Sequence, residues 1–246
     1  MVSFGTCRKV YVVGAGSSIF KSLGFECDYT PVSGRMSDLS DLPKFEENSV
    51  VVIFADPPNK METEALMISI VNRLPFSGNA HVIYISSIAV LFKGSRLDFG
   101  RLRYAEKKLA AENILTSGFV GVTILRLGIV SEVGSWKSTF QHSNRLLVPR
   151  GTRYMASTSI SDIRAALAAI MQSPRRDVRN LWTKRLIDEF VLSLKAPLGL
   201  ELLYKSRVGH IFLRISKRIL SRFGIGVISP DDILAFDHTF LMADYD

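Results

Sequence analysis

An early stretch of the chain decides the fold: Lys9-Val10-Tyr11-Val12-Val13-Gly14-Ala15-Gly16-Ser17-Ser18-Ile19-Phe20. Its first five residues form the short apolar run of a buried strand, two glycines mark a tight turn, and a helical segment continues to Leu23. The backbone N–H groups of such a turn and the dipole of the following helix both favour a phosphate. We therefore expect the turn to bind a phosphorylated ligand, with contacts from Gly14, Gly16, Ser17, Ser18 and Ile19.

The segment after this turn is short. A strand-helix-strand unit usually takes about thirty residues, but residues 24–42 contain a single strand-like run, Cys27–Val32. We expect that a strand or a helix of the usual pattern has been lost here. Phe20 occupies the position where a third glycine would permit close packing of the helix on the strand. The region thus departs from the usual dinucleotide-binding pattern at two points.

Polar residues follow the run that ends at Val32. No acidic residue closes the run, and the next residues include Ser33 and Arg35. A serine and an arginine at this point suit a ribose 2′-phosphate, which favours NADP as a cofactor without excluding NAD. Asp38 and Leu39 are expected to contribute to the same site.

Two more apolar runs predict strands that are buried on both faces of a parallel sheet. They cover residues 49–55 and 81–85, and residues 62–74 between them have the periodicity of a helix. Alternation of strands and helices is typical of an α/β protein. We predict a Rossmann-like, doubly wound parallel sheet, followed by a small C-terminal cap that binds the substrate.

The carboxyl ends of these two strands carry candidate site residues. Ala55 and Pro57 lie at the end of the first strand, and Ser86 and Ser87 lie at the end of the second. Ligands of open α/β sheets bind at the carboxyl ends of the strands. We therefore expect all four residues near the phosphate-binding turn.

A tyrosine and a lysine four residues apart form the predicted acid–base pair. If residues 102–117 are helical, Tyr104 and Lys108 lie one turn apart on the same face. A free phenol has a pKa near 10 and exchanges protons poorly at neutral pH unless positive charge stabilises its phenolate. Lys108 would supply that charge.

In this order, the elements resemble the short-chain dehydrogenase/reductase superfamily, and specifically its extended branch, which modifies nucleotide sugars. The matching segments are residues 14–19, 84–90, 104–108, 123–130 and 159–163. The resemblance implies that Ser87 binds the substrate carbonyl or hydroxyl, that Tyr104 transfers a proton, and that Lys108 also holds the nicotinamide ribose. It implies a nucleotide-sugar substrate and a hydride transfer with NADP or NAD.

The resemblance leaves several reactions open. Dehydratases of this branch tend to carry an acidic pair after the serine or threonine, where this chain has Ile88 and Ala89. The favoured interpretation is a 4-keto-sugar reductase of surface-polysaccharide biosynthesis, and an epimerase is the first alternative. A non-catalytic NAD(P)-binding sensor or structural subunit and a peripheral membrane protein are further alternatives.

Composition limits the class of protein. The chain has 246 residues, 47% of them hydrophobic, two cysteines and a net charge of +8. This is typical of a soluble globular protein, and with no secretory leader the few cysteines predict a cytoplasmic setting. The four histidines show no spacing of metal ligands. We expect neither a metal site nor a nucleic-acid partner, and a homodimer stays open.

The C-terminal part carries most of the basic residues. We assign residues 1–130 and 155–175 to the NAD(P)-binding domain and residues 131–154 and 176–246 to the cap. In the cap, Arg145, Arg150 and Arg153 suit a nucleotide diphosphate.

Residues 198–223 predict a basic amphipathic helix. We expect this helix to cover the substrate pocket with its apolar stripe. Contact of residues 200–223 with a membrane surface is the alternative. A terminal helix is expected to begin at Pro230.

Overall fold

The structure is a computed structural model that describes residues 8–25, 27–77, 79–92, 99–119, 121–130, 132–133, 145–147, 154–186, 207–223 and 225–227. The chain divides into two compact units. The first is formed by residues 1–91, 103–127 and 159–181, and the second by residues 92–102, 128–158 and 182–246.

The helices and strands alternate along most of the chain. They are β1 (Val10–Val13), α1 (Ser18–Leu23), β2 (Tyr29–Val32), a 3₁₀ helix (Met36–Asp41), β3 (Val50–Ile53), α2 (Lys60–Val71), β4 (His81–Ser87), a second 3₁₀ helix (Ile88–Phe92), α3 (Phe99–Gly118), β5 (Val122–Leu127), β6 (Arg145–Leu147), β7 (Tyr154–Ser157), α4 (Ile160–Gln172), β8 (Asp177–Leu181), β9 (Thr183–Leu186), α5 (Arg207–Arg222) and β10 (Ile225–Val227).

The first unit is built on a six-stranded sheet with the order β2-β1-β3-β4-β5-β8. All neighbouring strands are parallel. Every residue of β1 and β3 is buried, as are nearly all of β4 and β5, whereas the two edge strands are partly exposed. The apolar runs in the sequence therefore mark the central strands, and the predicted Rossmann-like parallel sheet is confirmed.

The expected loss of an element after the glycine turn is also confirmed. The strand order matches a Rossmann sheet, 3-2-1-4-5-6, that lacks strand 3 beyond β2 and has one further strand, β8, at the opposite edge. Residues 33–49, all of which the structure describes, contain a 3₁₀ helix but neither an α-helix nor a strand. The chain thus returns from β2 to β3 by a shortened connection, and the strand order reverses between β1 and β3.

The sixth strand lies in a segment that the sequence analysis assigned to the cap. Residues 177–181 form β8, which pairs with β5, so the first unit extends to residue 181. An edge strand needs little apolar surface, and β8 alternates between half-buried and exposed positions. The first unit therefore ends later in the chain than the domain boundary predicted after residue 175.

The described residues of the second unit form two small sheets and helix α5. Strand β6 pairs with β10 in parallel, and β7 pairs with β9 in antiparallel orientation. Helix α5 precedes β10 and gives the predicted amphipathic helix. Arg150, Arg153 and the helix expected from Pro230 lie outside the described residues, as does most of the segment around Arg145, whose side chain is not described. None of the helices in the described ranges is long and apolar enough to span a bilayer.

A buried histidine in β4 makes stability depend on pH. Burial, followed by the positive charge of Arg8, lowers the pKa of His81 from 6.5 to about 4. The Thr123 hydroxyl donates to the Arg175 carbonyl (2.6 Å), so Thr123 Oγ1 accepts from His81 Nε2 (2.8 Å). The ring is thus held neutral, with its proton on Nε2.

We expect acidification to destabilise the protein through His81. Between pH 6.5 and about 4 the unfolded chain binds a proton that the folded chain does not, so the free energy of unfolding falls as pH falls. Melting temperatures at pH 7 and pH 5 measure this. In a His81→Gln variant the drop between the two pH values should be smaller than in the wild type. An equal drop would show that other groups cause the acid sensitivity.

Candidate functional site

The glycine turn joins the carboxyl end of β1 to α1. Gly14 has a φ of +83°, and a Cβ atom there would lie 2.6 Å from the backbone nitrogen of Ala55. Its own N–H donates to the Val32 carbonyl (3.1 Å). Only glycine satisfies both the left-handed conformation and this close approach. Gly14 therefore holds the ends of β1, β2 and β3 together where the strand order reverses.

Phe20 explains the departure from the three-glycine pattern. Its side chain is buried, and its ring centroid lies 5.0 Å from that of Tyr29, 5.3 Å from that of Phe54 and 5.5 Å from that of Phe25. The aromatic cluster fills the space between α1 and the sheet that a glycine would leave for close backbone packing. Phe20 thus packs α1 against the sheet through aromatic contacts.

A cleft of about 850 Å³ opens at the carboxyl ends of β1, β2 and β3. Its lining includes nine of the residues predicted to bind the cofactor, namely Gly14, Gly16, Ser17, Ser18, Ser33, Arg35, Asp38, Ala55 and Pro57. Ile19 and Leu39 are not among the lining residues. Leu39 instead packs against the hydrophobic core, and Ile19 is half-buried in α1. The volume is in the range of sites for small molecules.

Ser17 stabilises the start of α1. Ser17 Oγ accepts a hydrogen bond from the Phe20 N–H (3.1 Å) and so caps α1. Gly16 and Ser18 are exposed in the cleft wall, and a Cβ atom on Gly16 would meet nothing within 4 Å. The backbone of the turn and Ser18 are thus the groups that can approach a phosphate.

The cleft wall after β2 carries a carboxylate. Ser33 Oγ donates to Asp38 Oδ2 (2.5 Å), and the Arg35 N–H donates to Ser33 Oγ (3.3 Å). Hydrogen bonds from Ser33 and Ser37 lower the pKa of Asp38, so this carboxyl is charged at neutral pH. The carboxylate of Asp38, one of the residues expected at this site, therefore stands beside Ser33 and Arg35, although no acidic residue closes β2 itself. A ribose hydroxyl suits this carboxylate, whereas Arg35 suits a 2′-phosphate.

Asp56 connects the cleft to the predicted acid–base pair. It follows β3, lines the cleft, and its Oδ1 atom contacts both Lys107 Nζ (2.9 Å) and Lys108 Nζ (3.1 Å). Lys107 also donates to the Pro57 carbonyl (2.7 Å), and Lys108 donates to the Ile85 carbonyl (3.2 Å). Both lysine side chains are buried, so these contacts take the place of the hydrogen bonds that water would make to the ammonium groups. The cluster ties α3 to the ends of β3 and β4.

The charges of this cluster are stable at neutral pH. Burial alone would raise the pKa of Asp56, but Lys108 and Lys107 outweigh it and lower that pKa. Burial alone would lower the pKa of Lys108, but Tyr84, Tyr104 and Asp56 raise it above its ordinary value. Tyr84 is deeply buried, which raises its pKa to about 12 and keeps it neutral. Lys108 is therefore a permanent cation.

The structure brings Tyr104 and Lys108 together, as expected from their spacing. Lys108 Nζ lies 5.7 Å from the centroid of the Tyr104 ring, and Lys107 Nζ lies 5.3 Å from it. Ser87 ends β4, and its hydroxyl accepts from the Ala89 N–H (3.2 Å). Because Lys108 donates to Ile85 in the same strand, Lys108 is fixed to the strand end that carries Ser87.

A buried ion pair stabilises the end of β4 that carries Ser87. Glu112 lies one helical turn after Lys108, and its carboxylate accepts from Ser86 Oγ (2.6 Å) and from Arg126 Nε (3.1 Å) and Nη2 (2.6 Å). The three side chains link β4, α3 and β5. Ser86 is buried and hydrogen-bonded to Glu112, so its role beside Ser87 is structural.

Two charged residues of the site do not follow from the sequence motifs. Asp56 and Lys107 belong neither to the Tyr104–Lys108 spacing nor to the glycine turn. Asp56 could have been found from its position directly after a buried strand, where ligand-binding groups collect. Lys107 gave no such signal, since adjacent residues of a helix do not normally face the same partner. Within the described ranges, no group of acidic, histidine and cysteine side chains could hold a metal ion.

Substitution of Gly14 should reduce stability, whereas substitution of Gly16 should reduce ligand binding. We expect Gly14→Ala to lower the free energy of unfolding by about 1–3 kcal/mol, because the methyl group meets the Ala55 backbone at a positive φ. Gly16→Val should leave stability nearly unchanged but abolish ligand binding in the cleft. Urea unfolding and ligand titration of both variants measure this. Equal destabilisation by the two substitutions would contradict it.

Comparison with known proteins agrees with this architecture. No protein-family model matches the sequence, and no curated protein sequence matches it significantly. Solved structures do match. A nucleoside-diphosphate-sugar epimerase of Staphylococcus aureus superposes with a TM-score of 0.58 at 13% identity, over 82% of this chain and 86% of its own.

Two further structures extend the comparison. The Bordetella bronchiseptica enzyme WbmH, solved with NAD⁺, gives a TM-score of 0.57 at 14% identity, over 92% of this chain and 87% of its own. The dTDP-4-dehydrorhamnose reductase of Bacillus anthracis, solved with NADP, gives 0.54 at 12% identity, over 78% of this chain and 84% of its own. At these identities the likeness concerns the fold, which this chain shares with the three structures.

Proposed function

We propose that this protein is an NAD(P)-dependent oxidoreductase of the extended short-chain dehydrogenase/reductase branch, and that it acts on a nucleotide-linked sugar. One observation carries the proposal: Asp56 both lines the cleft of the glycine turn and pairs with Lys108 beside Tyr104. The predicted cofactor site and the predicted proton-transfer site thus share a residue. Solved structures of the same fold, named as nucleotide-sugar reductases and epimerases, support the class of substrate.

The cleft fits a nicotinamide dinucleotide. It lies where the strand order reverses, which is where doubly wound sheets bind nucleotides, and the open space at Gly16 leaves its wall accessible to a diphosphate. The turn from Gly14 to Ser18 would hold the diphosphate, and Arg35 and Asp38 would contact a ribose. When bound, the nicotinamide supplies or accepts the hydride.

The chain's own residues would handle the proton. Tyr104 donates a proton to the substrate oxygen during reduction, and Ser87 donates a hydrogen bond that orients the same oxygen. Lys108 stays positively charged beside the phenol because Asp56 and the Ile85 carbonyl hold it there. This positive charge stabilises the negative charge that develops on the phenol oxygen as the proton moves to the substrate.

The favoured reaction is the reduction of a 4-keto sugar in surface-polysaccharide biosynthesis. Ile88 and Ala89, where dehydratases tend to carry acidic residues, are both buried and apolar. At these two positions the chain therefore offers no carboxyl group that could remove water from the sugar. Epimerisation is the second candidate, supported by the name of the Staphylococcus aureus structure.

Purified protein mixed with NADPH and a 4-keto nucleotide sugar tests the proposal. Consumption of NADPH with formation of a hydroxyl product supports the reductase. An epimer formed without net consumption of NADPH supports the epimerase instead. If NADPH and NADH bind but no nucleotide sugar is converted, the protein is a non-catalytic binding protein and the proposed function is wrong.

A thermal-shift titration with NADP and NAD decides the cofactor. A ligand that binds only the folded state raises the melting temperature. Arg35 favours a larger shift with NADP, and the charged carboxylate of Asp38 favours a larger shift with NAD. An Asp38→Asn variant should move the preference towards NADP, because it removes the charge that repels a 2′-phosphate.

A further inference from the structure

Helix α5 exposes a continuous row of large apolar side chains. They are Val208, Ile211, Phe212, Ile215, Ile219 and Phe223, with exposed fractions between 55% and 77%. At 3.6 residues per turn they fall within an arc of about 120°. We call this row the exposed stripe. Ser216 is buried and Leu220 is half-buried on the next arc, so α5 uses a different face to pack within its unit.

The arc on the other side of the exposed stripe is basic in sequence. The helix contains five basic residues and no acidic residue, at Arg207, Arg214, Lys217, Arg218 and Arg222. Four of the five positions fall together on an arc next to the stripe, and position 222 falls within the stripe, between positions 211 and 215. By sequence, α5 therefore has an apolar sector that contains one arginine and is bordered by a basic sector.

Apolar exposure on this scale indicates that the stripe binds a partner. A soluble monomer rarely shows a contiguous row of aliphatic and aromatic side chains without a binding role. A second copy of the chain, packed stripe to stripe in an antiparallel pair, would bring the two basic sectors to the same side, where they repel each other. A nucleic acid would use the charge but would leave the aliphatic side chains without a partner.

We propose that α5 binds the surface of a membrane that contains anionic lipids. The exposed stripe enters the boundary between headgroups and acyl chains, and the basic arc meets the lipid phosphates. An apolar sector beside a lysine- and arginine-rich sector is the pattern of helices that lie in the membrane interface. The helix lies on the bilayer and does not cross it. This surface is independent of the cleft and of the proposed reaction.

Co-sedimentation of the full chain with vesicles tests the proposal. We expect the protein to sediment with vesicles that contain phosphatidylglycerol, to stay in solution with phosphatidylcholine alone, and to be released by salt. The variant F212S/I215S should lower the fraction bound by about tenfold or more. Phe76→Ser is the matched control, because Phe76 is a fully exposed aromatic residue of the first unit. It should bind as the wild type does.

Three results would overturn the proposal. One is a failure to bind phosphatidylglycerol vesicles, and another is equal binding by F212S/I215S and the wild type. The third is a dimer in light scattering that F212S/I215S dissociates, which would assign the stripe to a second copy. Cooperative thermal unfolding of each variant confirms that it is folded, so that lost binding reports on the stripe itself.

Discussion

Replacing Tyr104 by Phe should lower the rate of the proposed reaction by at least about 100-fold, which is the usual contribution of a positioned proton donor. The ring lies 5.7 Å from Lys108 Nζ, and a phenylalanine ring can occupy the same space. The substitution therefore removes the exchangeable proton with little change in packing. Steady-state rates of NADPH oxidation with a 4-keto nucleotide sugar measure the effect, which should appear in kcat.

Cofactor binding provides the control for this prediction. Tyr104 is not among the residues that line the cleft, so the thermal shift with NADP should be the same in Tyr104→Phe and in the wild type. Tyr29→Phe is the matched variant, since Tyr29 lies at the opposite end of its strand from the cleft. It should keep full activity. A Tyr104→Phe enzyme that reduces its substrate at the wild-type rate would refute the proposed proton transfer.

Replacing Glu112 by Ala should cost the largest amount of stability, about 3–5 kcal/mol of the free energy of unfolding. The Glu112 side chain is 5% exposed and that of Arg126 is 18% exposed, and the two make two hydrogen bonds. Removing the carboxylate leaves a largely buried guanidinium without its counter-ion and Ser86 without its acceptor. Urea unfolding measures the loss.

An exposed ion pair in the same unit gives the comparison. Lys60 and Glu64 are one turn apart in α2, 3.6 Å from each other, and both are exposed. Glu64→Ala should cost no more than about 0.5 kcal/mol, because water and salt screen such a pair. If Glu64→Ala and Glu112→Ala destabilise the protein equally, the buried network is not what holds β4, α3 and β5 together.

The central part of the fold could be predicted because its strands are buried on both faces. Residues 50–53 and 82–85 are uninterrupted apolar runs, and burial on both faces of a parallel sheet favours that pattern. The edge strand β8 could not be predicted, since Asp177, Arg179 and Asn180 alternate with apolar residues over only five positions. Edge strands satisfy their backbone on one side and need no such signal.

The residues of the candidate site could be predicted where the local backbone conformation or the helical spacing requires a particular residue type. Gly14 is required by its backbone angle and by the nearby Ala55, and Tyr104 and Lys108 follow from helical periodicity. Asp56 contacts a helix that begins more than forty residues later, and only the folded sheet brings the two together. The exposure of the stripe on α5 was equally hidden, because an amphipathic pattern does not state what its apolar side meets.

The contact between α1 and α4 has a consequence for synthesis of the chain. Arg164 Nε donates to the Leu23 carbonyl (2.8 Å), and β8 completes the sheet from residues 177–181. A nascent chain therefore cannot close the C-terminal end of its first helix, or cover the outer edge of β5, until about three quarters of the polypeptide has left the ribosome. During that time β5 is an open edge, which is a risk for aggregation. Shortened chains that end before residue 181 should therefore be recovered as insoluble material, however complete their glycine turn and their tyrosine and lysine are.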